Sequence, residues 1–324
     1  MKTKTMRELL GPDLKWINNF IKSSVESDVF LLNSINEYLF SLNGKQMRPI
    51  LSLLAAKACG TSNEKTLRCA AAAEMIHTAT LLHDDVADEA PQRRGADTVQ
   101  YKFSPASSVL TGDYWLGKAV SVLLGLGDLR LMSFFAKAVE DLSEGEIFQM
   151  QKASSLGTTP EDYFTIISKK TSSLFIAAIS GTTYLSGASD EIIECMRRYA
   201  HYFGMAFQIR DDIFDYQPQL ETGKNWGTDI RERKITLPLI CSLQAAPTTE
   251  GMAIMDLLKR TSNIEQPLVE QVFSFVEKFK GIALAQEILE EYSKKAIEAL
   301  SSLNDSIYKS ELERIALYMG ERVV

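Results

Sequence analysis

Between residues 64 and 89, the positions at helical spacing (Thr66, Leu67, Ala70, Ala71, Glu74, Met75, Thr78, Leu81, Leu82 and Asp85) are small or apolar around most of the helix. A helix with so little polar face needs neighbours on every side, so this segment predicts a central helix packed among others. The rest of the chain can supply them. Only nine prolines and 18 glycines interrupt long runs rich in Ala, Leu, Glu, Lys, Ile and Met, whereas a sheet needs frequent turns. The pattern therefore predicts an all-α fold, with helices near 12–25, 31–41, 47–59, 64–89, 106–125, 128–154, 160–184, 189–216, 231–244, 250–260, 266–279, 282–302 and 307–319. No linker-like stretch or abrupt change of charge divides the chain, and one helical domain over 1–324 is expected.

With 324 residues, 45% of them hydrophobic, the chain can bury a large core without covalent staples. Its net charge of −7, with Lys and Arg scattered among acids, excludes general nucleic-acid binding. An anionic ligand would need cations to bridge it to such a protein. Cys59, Cys69, Cys195 and Cys241 stand singly in apolar surroundings, which predicts buried thiols in a reducing cytoplasm rather than disulfides or zinc ligands. The first seven residues lack the apolar core of a signal peptide, and no stretch reaches the roughly 18 apolar residues of a membrane span.

Two aspartate clusters carry the chemistry. Asp84-Asp85-Val86-Ala87-Asp88 and Asp211-Asp212-Ile213-Phe214-Asp215 each close a long apolar helical stretch, and Pro91 and Pro218 mark where those helices stop. The first and last aspartates of each cluster are four residues apart, so their carboxylates share one helix face. Backbone carbonyls already concentrate negative potential at a helix C-terminus, so carboxylates there are misplaced unless a cation joins them. Oxygen clusters of this kind suit Mg²⁺, which prefers carboxylates, phosphates and retained waters, and the two read as halves of one metal site.

Basic groups recur beside the aspartates. Gly44-Lys45-Gln46-Met47-Arg48-Pro49 opens a helix, where free N–H groups favour anions. Arg93-Arg94-Gly95 follows the first cluster, Lys169-Lys170-Thr171 lies between the two, and Gly223-Lys224 and Arg233-Lys234 follow the second. The segment 217–228, with Gly223 and Gly227, is the best candidate for a mobile lid. Glu74 and His77 form one Glu-x-x-His pair, but a di-iron bundle needs two. His83 beside Asp84 is expected to be a supporting or core histidine rather than a ligand, and His201 carries no motif.

In this order, GKQMRP at 44–49, LLHDDVADEAPQRRG at 81–95, LTGDY at 110–114, SEGE at 143–146, KT at 170–171, FQIRDDIFDY at 207–216 and GKNWGTD through KITLP at 223–238 make the chain resemble the trans-isoprenyl diphosphate synthases, or polyprenyl synthetases, and their long-chain members most. The resemblance implies a bundle of long helices around a central elongated cavity. It also implies a head-to-tail condensation in which an allylic diphosphate ionises and isopentenyl diphosphate attacks the carbocation. Asp84, Asp88 and Asp211 are then expected as direct ligands of three Mg²⁺ ions, with Asp85, Asp212 and Asp215 acting mainly through metal-bound waters. Arg93, Lys170 and Lys224 should grip the allylic diphosphate, with Lys234 at the rim. Lys45, Arg48, His77 and Arg94 should hold isopentenyl diphosphate without metal. Thr171 and Gln208 should face the reacting carbons. Family members are commonly homodimers, and transient membrane contact would serve release of a greasy product.

Short-product relatives carry aromatic rings at the two positions nearest the first aspartates. This chain has Ala79 and Thr80 there, with Ile76 one turn deeper. Each helical turn rises about 5.4 Å, close to one extended isoprene unit, so loss of the upper stopper predicts a long all-trans product. Leu131, Met132, Phe134 and Phe135 are the candidates for a lower floor. A geranylgeranyl diphosphate synthase is the nearest alternative, and a non-catalytic subunit of a heteromeric synthase is less compatible with two intact clusters. A terpene cyclase would usually replace the second cluster and lacks an isopentenyl diphosphate pocket, which Asp211, Asp212 and Asp215 with Lys45 and Arg48 oppose. The departure from the family pattern is Arg231-Glu-Arg-Lys234, where Gly often precedes the lysine.

Overall fold

The computed structural model describes residues 3–42, 44, 46–93, 95–217, 226–261 and 263–321, with side chains from residue 9 onward. Its helices are α1 (Thr3–Ser24), α2 (Phe30–Ser41), α3 (Met47–Cys59), α4 (Glu64–Ala87), α5 (Val99–Lys102), α6 (Pro105–Leu124), α7 (Leu129–Ser155), α8 (Pro160–Ile167), α9 (Ser173–Leu185), α10 (Asp190–Asp215), α11 (Thr228–Arg231), α12 (Leu237–Ala245), α13 (Thr248–Arg260), α14 (Gln266–Lys278), α15 (Gly281–Ala299) and α16 (Ile307–Gly320). The one sheet among the described residues is a small antiparallel pair, β1 (Gln92–Arg93) and β2 (Ala96–Asp97), with Gly95 at φ 78° in its turn. None of the described helices is long and apolar enough to cross a membrane.

Contacts group the chain into two compact units, one of residues 1–137, 174–198 and 299–314 and the other of 138–173, 199–298 and 315–324. In the first unit α4 is central, packed by α6, α3 and α1. Asn63 starts it with a reciprocal cap: its Oδ1 accepts from the Thr66 N–H at 3.1 Å, and Thr66 Oγ1 accepts from the Asn63 N–H at 2.9 Å. Ala70, Ala71, Ala72 and Ala73 are fully buried, and such short side chains let other helices approach closely. Gly112 of α6 serves the same approach, because a Cβ there would lie 3.1 Å from the Ala79 carbonyl oxygen.

In the second unit α12 packs against α14, α13 and α8. The last turn of α16 is captured by buried side chains: Arg210 Nη1 donates to the carbonyls of Tyr318 and Met319, the latter at 2.9 Å, and Gln286 Nε2 donates to that of Gly320 at 2.8 Å. Those carbonyls would otherwise lack partners at a helix end.

Three predicted helices differ from the observed ones. The first starts earlier, at Thr3, and accommodates Pro12 in its interior. The single helix expected over 160–184 is interrupted by a π-turn at Ser168–Ser172. Within it the Ser173 N–H reaches back to the Ser168 carbonyl, while Ser173 Oγ takes the Lys169 carbonyl at 2.6 Å, so side chain and backbone divide the bonds of a normal turn. The helix expected over 231–244 begins at Leu237, where Pro238 suits a first turn.

Candidate active site

The first aspartate cluster ends α4, with Asp88 as its C-cap. Asp85 points inward, is 5% exposed, and accepts from Arg93 Nε at 2.6 Å. Burial pushes the Asp85 carboxyl up and the neighbouring Asp88 adds to this, while Arg93 opposes both. Asp84 and Asp88 flank it and are half-buried. Gln100 Nε2 holds the loop beyond the cluster by donating to the carbonyls of Asp85 and Ala90, the latter at 2.9 Å.

The second cluster repeats this division with other partners. Asp212 is 4% exposed and has a donor on each oxygen: Tyr163 Oη at 2.6 Å and Gln208 Nε2 at 2.8 Å. Burial pushes its carboxyl up to about 7, with Asp211 and Asp215 adding to the rise and Tyr163 and Gln208 opposing it. Asp215 accepts from the backbone N–H groups of Thr228 and Asp229, both at 3.1 Å, and so closes the start of α11. Asp211 is half-buried. In both clusters the second aspartate is turned into the protein, and the first lies nearer the surface.

The basic residues rest on carboxylates of their own unit. Arg93 pairs with Asp85, Lys170 with Glu146, and Lys234 with Glu232 at 2.6 Å. Lys170 and Thr171 both belong to the π-turn, which is wedged between two glycines. A Cβ at Gly145 of α7 would come within 2.8 Å of Lys169 Cβ, and one at Gly204 of α10 within 2.6 Å of Ser172 Cα. Thr171 Oγ1 donates to Gln208 Oε1 at 2.6 Å. Arg48 is buried with its guanidinium 4.5 Å from the Phe175 ring centroid, and His77 is half-buried on α4. Lys45, Arg94, Lys224 and Arg322 lie outside the described residues, as do residues 218–225 of the expected lid.

His83 lies 3.2 Å from both the Val109 carbonyl and an Asp113 carboxylate oxygen of α6. Its ring fills the space over Gly112, where a Cβ would be 2.3 Å from Nε2. It is a packing and hydrogen-bonding residue between two helices. Ala79 and Ile76 are buried, and Thr80 is half-buried with its hydroxyl on the His77 carbonyl at 2.9 Å. Of the four floor candidates, Leu131 and Phe135 are fully buried and close around Gly181 with Cys69, while Phe134 packs edge-on against Tyr184 and Met132 is half-buried.

Several residues acquire roles that the motifs alone did not assign. Glu146 lies in SEGE and Asp229 in GKNWGTD, so both were in view. Burial, with Asp215 and Asp212 nearby, holds the Asp229 carboxyl well above its ordinary value, and Lys234 opposes this. Tyr163 has no motif at all. Burial and Asp212 keep its phenol well above its ordinary pKa, so it stays protonated and donates.

Among the described residues no three His, Cys, Asp or Glu side chains gather closely enough to hold an ion alone. The donor set nevertheless fits Mg²⁺, which binds through one or two carboxylates and takes its other ligands from water and substrate phosphates. Asp211 and Asp215 both add to the rise of the Asp212 carboxyl, which marks an excess of negative charge that a cation relieves.

The polyprenyl synthetase family model matches residues 29–276. The all-trans-nonaprenyl-diphosphate synthase (geranyl-diphosphate specific) of Rhodobacter capsulatus is 37% identical over 98% of each chain. The crystal structure of a decaprenyl diphosphate synthase from the same organism superposes with a TM-score of 0.93 at 32% identity, covering 99% of each chain. A polyprenyl synthase from Caulobacter crescentus complexed with calcium and isoprenyl diphosphate gives a TM-score of 0.92 at 30% identity, covering 98% of this chain and 97% of the other. The chain belongs to the polyprenyl synthetase family, and by that membership is a chain-elongating prenyltransferase.

Proposed function

We propose that this chain condenses isopentenyl diphosphate with an allylic diphosphate to give all-trans polyprenyl diphosphates of about thirty to forty carbons or longer, taking one helical turn per isoprene unit as the measure. Asp84, Asp88 and Asp211 are its direct Mg²⁺ ligands, three ions per site, and Asp85, Asp212 and Asp215 support them from behind. The observation that carries this reading is the division inside each cluster, where Asp85 and Asp212 are buried on protein donors while Asp84, Asp88 and Asp211 remain half-buried. The calcium and isoprenyl diphosphate of the Caulobacter crescentus relative support divalent-metal and diphosphate binding.

When bound, Mg²⁺ supplies charge stabilisation to the departing diphosphate. The protein's own cations do the rest. Arg93, Lys170 and Lys224 take the allylic diphosphate, with Lys234 at the rim, so the carboxylates Asp85, Glu146 and Glu232 that now hold three of them act as placeholders. Lys45, Arg48, His77 and Arg94 hold isopentenyl diphosphate. Arg48 is stiffened for this by its stack on Phe175. Thr171 and Gln208 present oxygen dipoles to the reacting carbons.

Ala79 and Thr80 leave the upper wall open to a growing chain, and Leu131 and Phe135 limit it lower down. The four free thiols suit a cytoplasmic enzyme. A homodimer is supported by α6, where Leu110, Gly117 and Leu124 stand seven residues apart on an exposed face with Val120, and Leu110 is 66% exposed. Transient membrane contact serves release of the product.

The test is to incubate purified protein with isopentenyl diphosphate, an allylic starter and Mg²⁺ and size the products. Long prenyl chains are expected, chelation should abolish them, and Asp84→Ala or Asp211→Ala should lower the rate by roughly a thousandfold while helicity by circular dichroism is kept. A twenty-carbon product would favour the geranylgeranyl alternative. Absence of turnover would favour the non-catalytic subunit, and full activity in either variant would remove the clusters from the mechanism.

A further inference from the structure

Four side chains of the second unit form one continuous chain of hydrogen bonds: Tyr163 of α8, Asp212 and Gln208 of α10, and Thr171 of the π-turn, joined at 2.6, 2.8 and 2.6 Å. Tyr163, Asp212 and Thr171 are buried, so water does not compete for these groups. With the Asp212 carboxyl ionised, chemistry fixes the direction of each link. The Asp212 carboxylate accepts from Tyr163 on one oxygen and from the Gln208 amide nitrogen on the other. The Gln208 oxygen must therefore face Thr171, and the single Thr171 hydroxyl proton is committed to it. Whatever meets Thr171 from its remaining side meets lone pairs.

We propose that Tyr163 is a positioning residue for prenyl transfer, whose hydroxyl locks the Asp212 carboxylate so that Gln208 is oriented and Thr171 offers only acceptor character to the developing allylic cation. The proposal rests on the reading that Thr171 faces the reacting carbons. Without the Tyr163 hydroxyl, one buried Asp212 oxygen loses its donor and the carboxylate is free to turn. Once the carboxylate has turned off the Gln208 nitrogen, nothing orients that amide and it can flip. Its NH₂ would face Thr171, whose proton would swing toward the positive carbon and raise the barrier instead of lowering it.

Tyr163→Phe keeps the ring and deletes only the hydroxyl. Steady-state kinetics at saturating Mg²⁺ should show kcat reduced by about tenfold or more, with KM for both diphosphates within about twofold of wild type. Thr171→Val should lose kcat as well, and the double variant should be no slower than Thr171→Val alone, because both act through one hydroxyl. Wild-type kcat in Tyr163→Phe, or losses that multiply in the double variant, would overturn the proposal and leave the Thr171 reading standing. Full activity of Thr171→Val would overturn both. If Tyr163→Phe does not fold, Tyr163→Met replaces it, since a flexible thioether fills much of the ring's space without offering a proton. The same kcat loss, absent on a Thr171→Val background, is expected, and unchanged kcat would again overturn the proposal.

Discussion

Adjacent residues of one type do different work in this chain. Asp211 and Asp212 are neighbours, yet α10 turns the first toward the surface and the second into the Tyr163–Gln208 pair. Asp215, one turn on, closes α11 through two backbone N–H groups. Ala79 illustrates the opposite case, a residue that matters for what it lacks. It is buried on α4 about two and a half turns below Asp88, and a ring there would obstruct any chain descending along the helix. Ala79→Phe or Ala79→Tyr is therefore expected to shorten the product to about fifteen or twenty carbons, one turn per unit, as sized by radiolabelled extraction. Unchanged chain length would reject this wall.

At the scale of elements, the π-turn is the feature that sets Lys170 and Thr171 in place. It exists between α8 and α9 because Ser173 satisfies the Lys169 carbonyl with its side chain while its N–H reaches Ser168. Gly145 and Gly204 let α7 and α10 press against it. A methyl group at 204 would meet backbone at Ser172, which cannot swing aside as a flexible side chain can. Gly204→Ala should cost about 1–3 kcal/mol in chemical denaturation and also lower kcat, since the turn must shift. Gly251→Ala, where the added methyl meets only Leu243 at ordinary contact distance inside α13, should instead gain about 0.5–1 kcal/mol. Equal behaviour of the two variants would deny the turn its tight seat.

For the molecule as a whole, the exposed apolar seam of α6 is the feature a lone chain does not explain. Leu110 and Leu124 keep a seven-residue spacing with Gly117 between them, a pattern that suits helix against helix. Leu110→Glu is expected to convert a dimeric wild type into monomer in analytical ultracentrifugation. Two like charges facing each other across a symmetric seam repel and lose their water. A wild type that sediments as a monomer would take the seam out of assembly.

The sequence alone determined the helical class, the bounds of most long helices and the acidic helix ends, though not the π-turn or the short α5 and α11, because periodicity, capping residues and aspartate spacing are local properties read along one axis. It also contained Glu146 and Asp229 within recognisable motifs without assigning them partners. Tertiary structure alone decided which aspartate of each cluster turns inward, that Tyr163 meets Asp212 across 49 positions, that Gly204 seats Ser172, and that His83 of α4 lies over Gly112 of α6. Those outcomes depend on which helix faces are brought within about 3 Å of one another, and no local pattern encodes that distance.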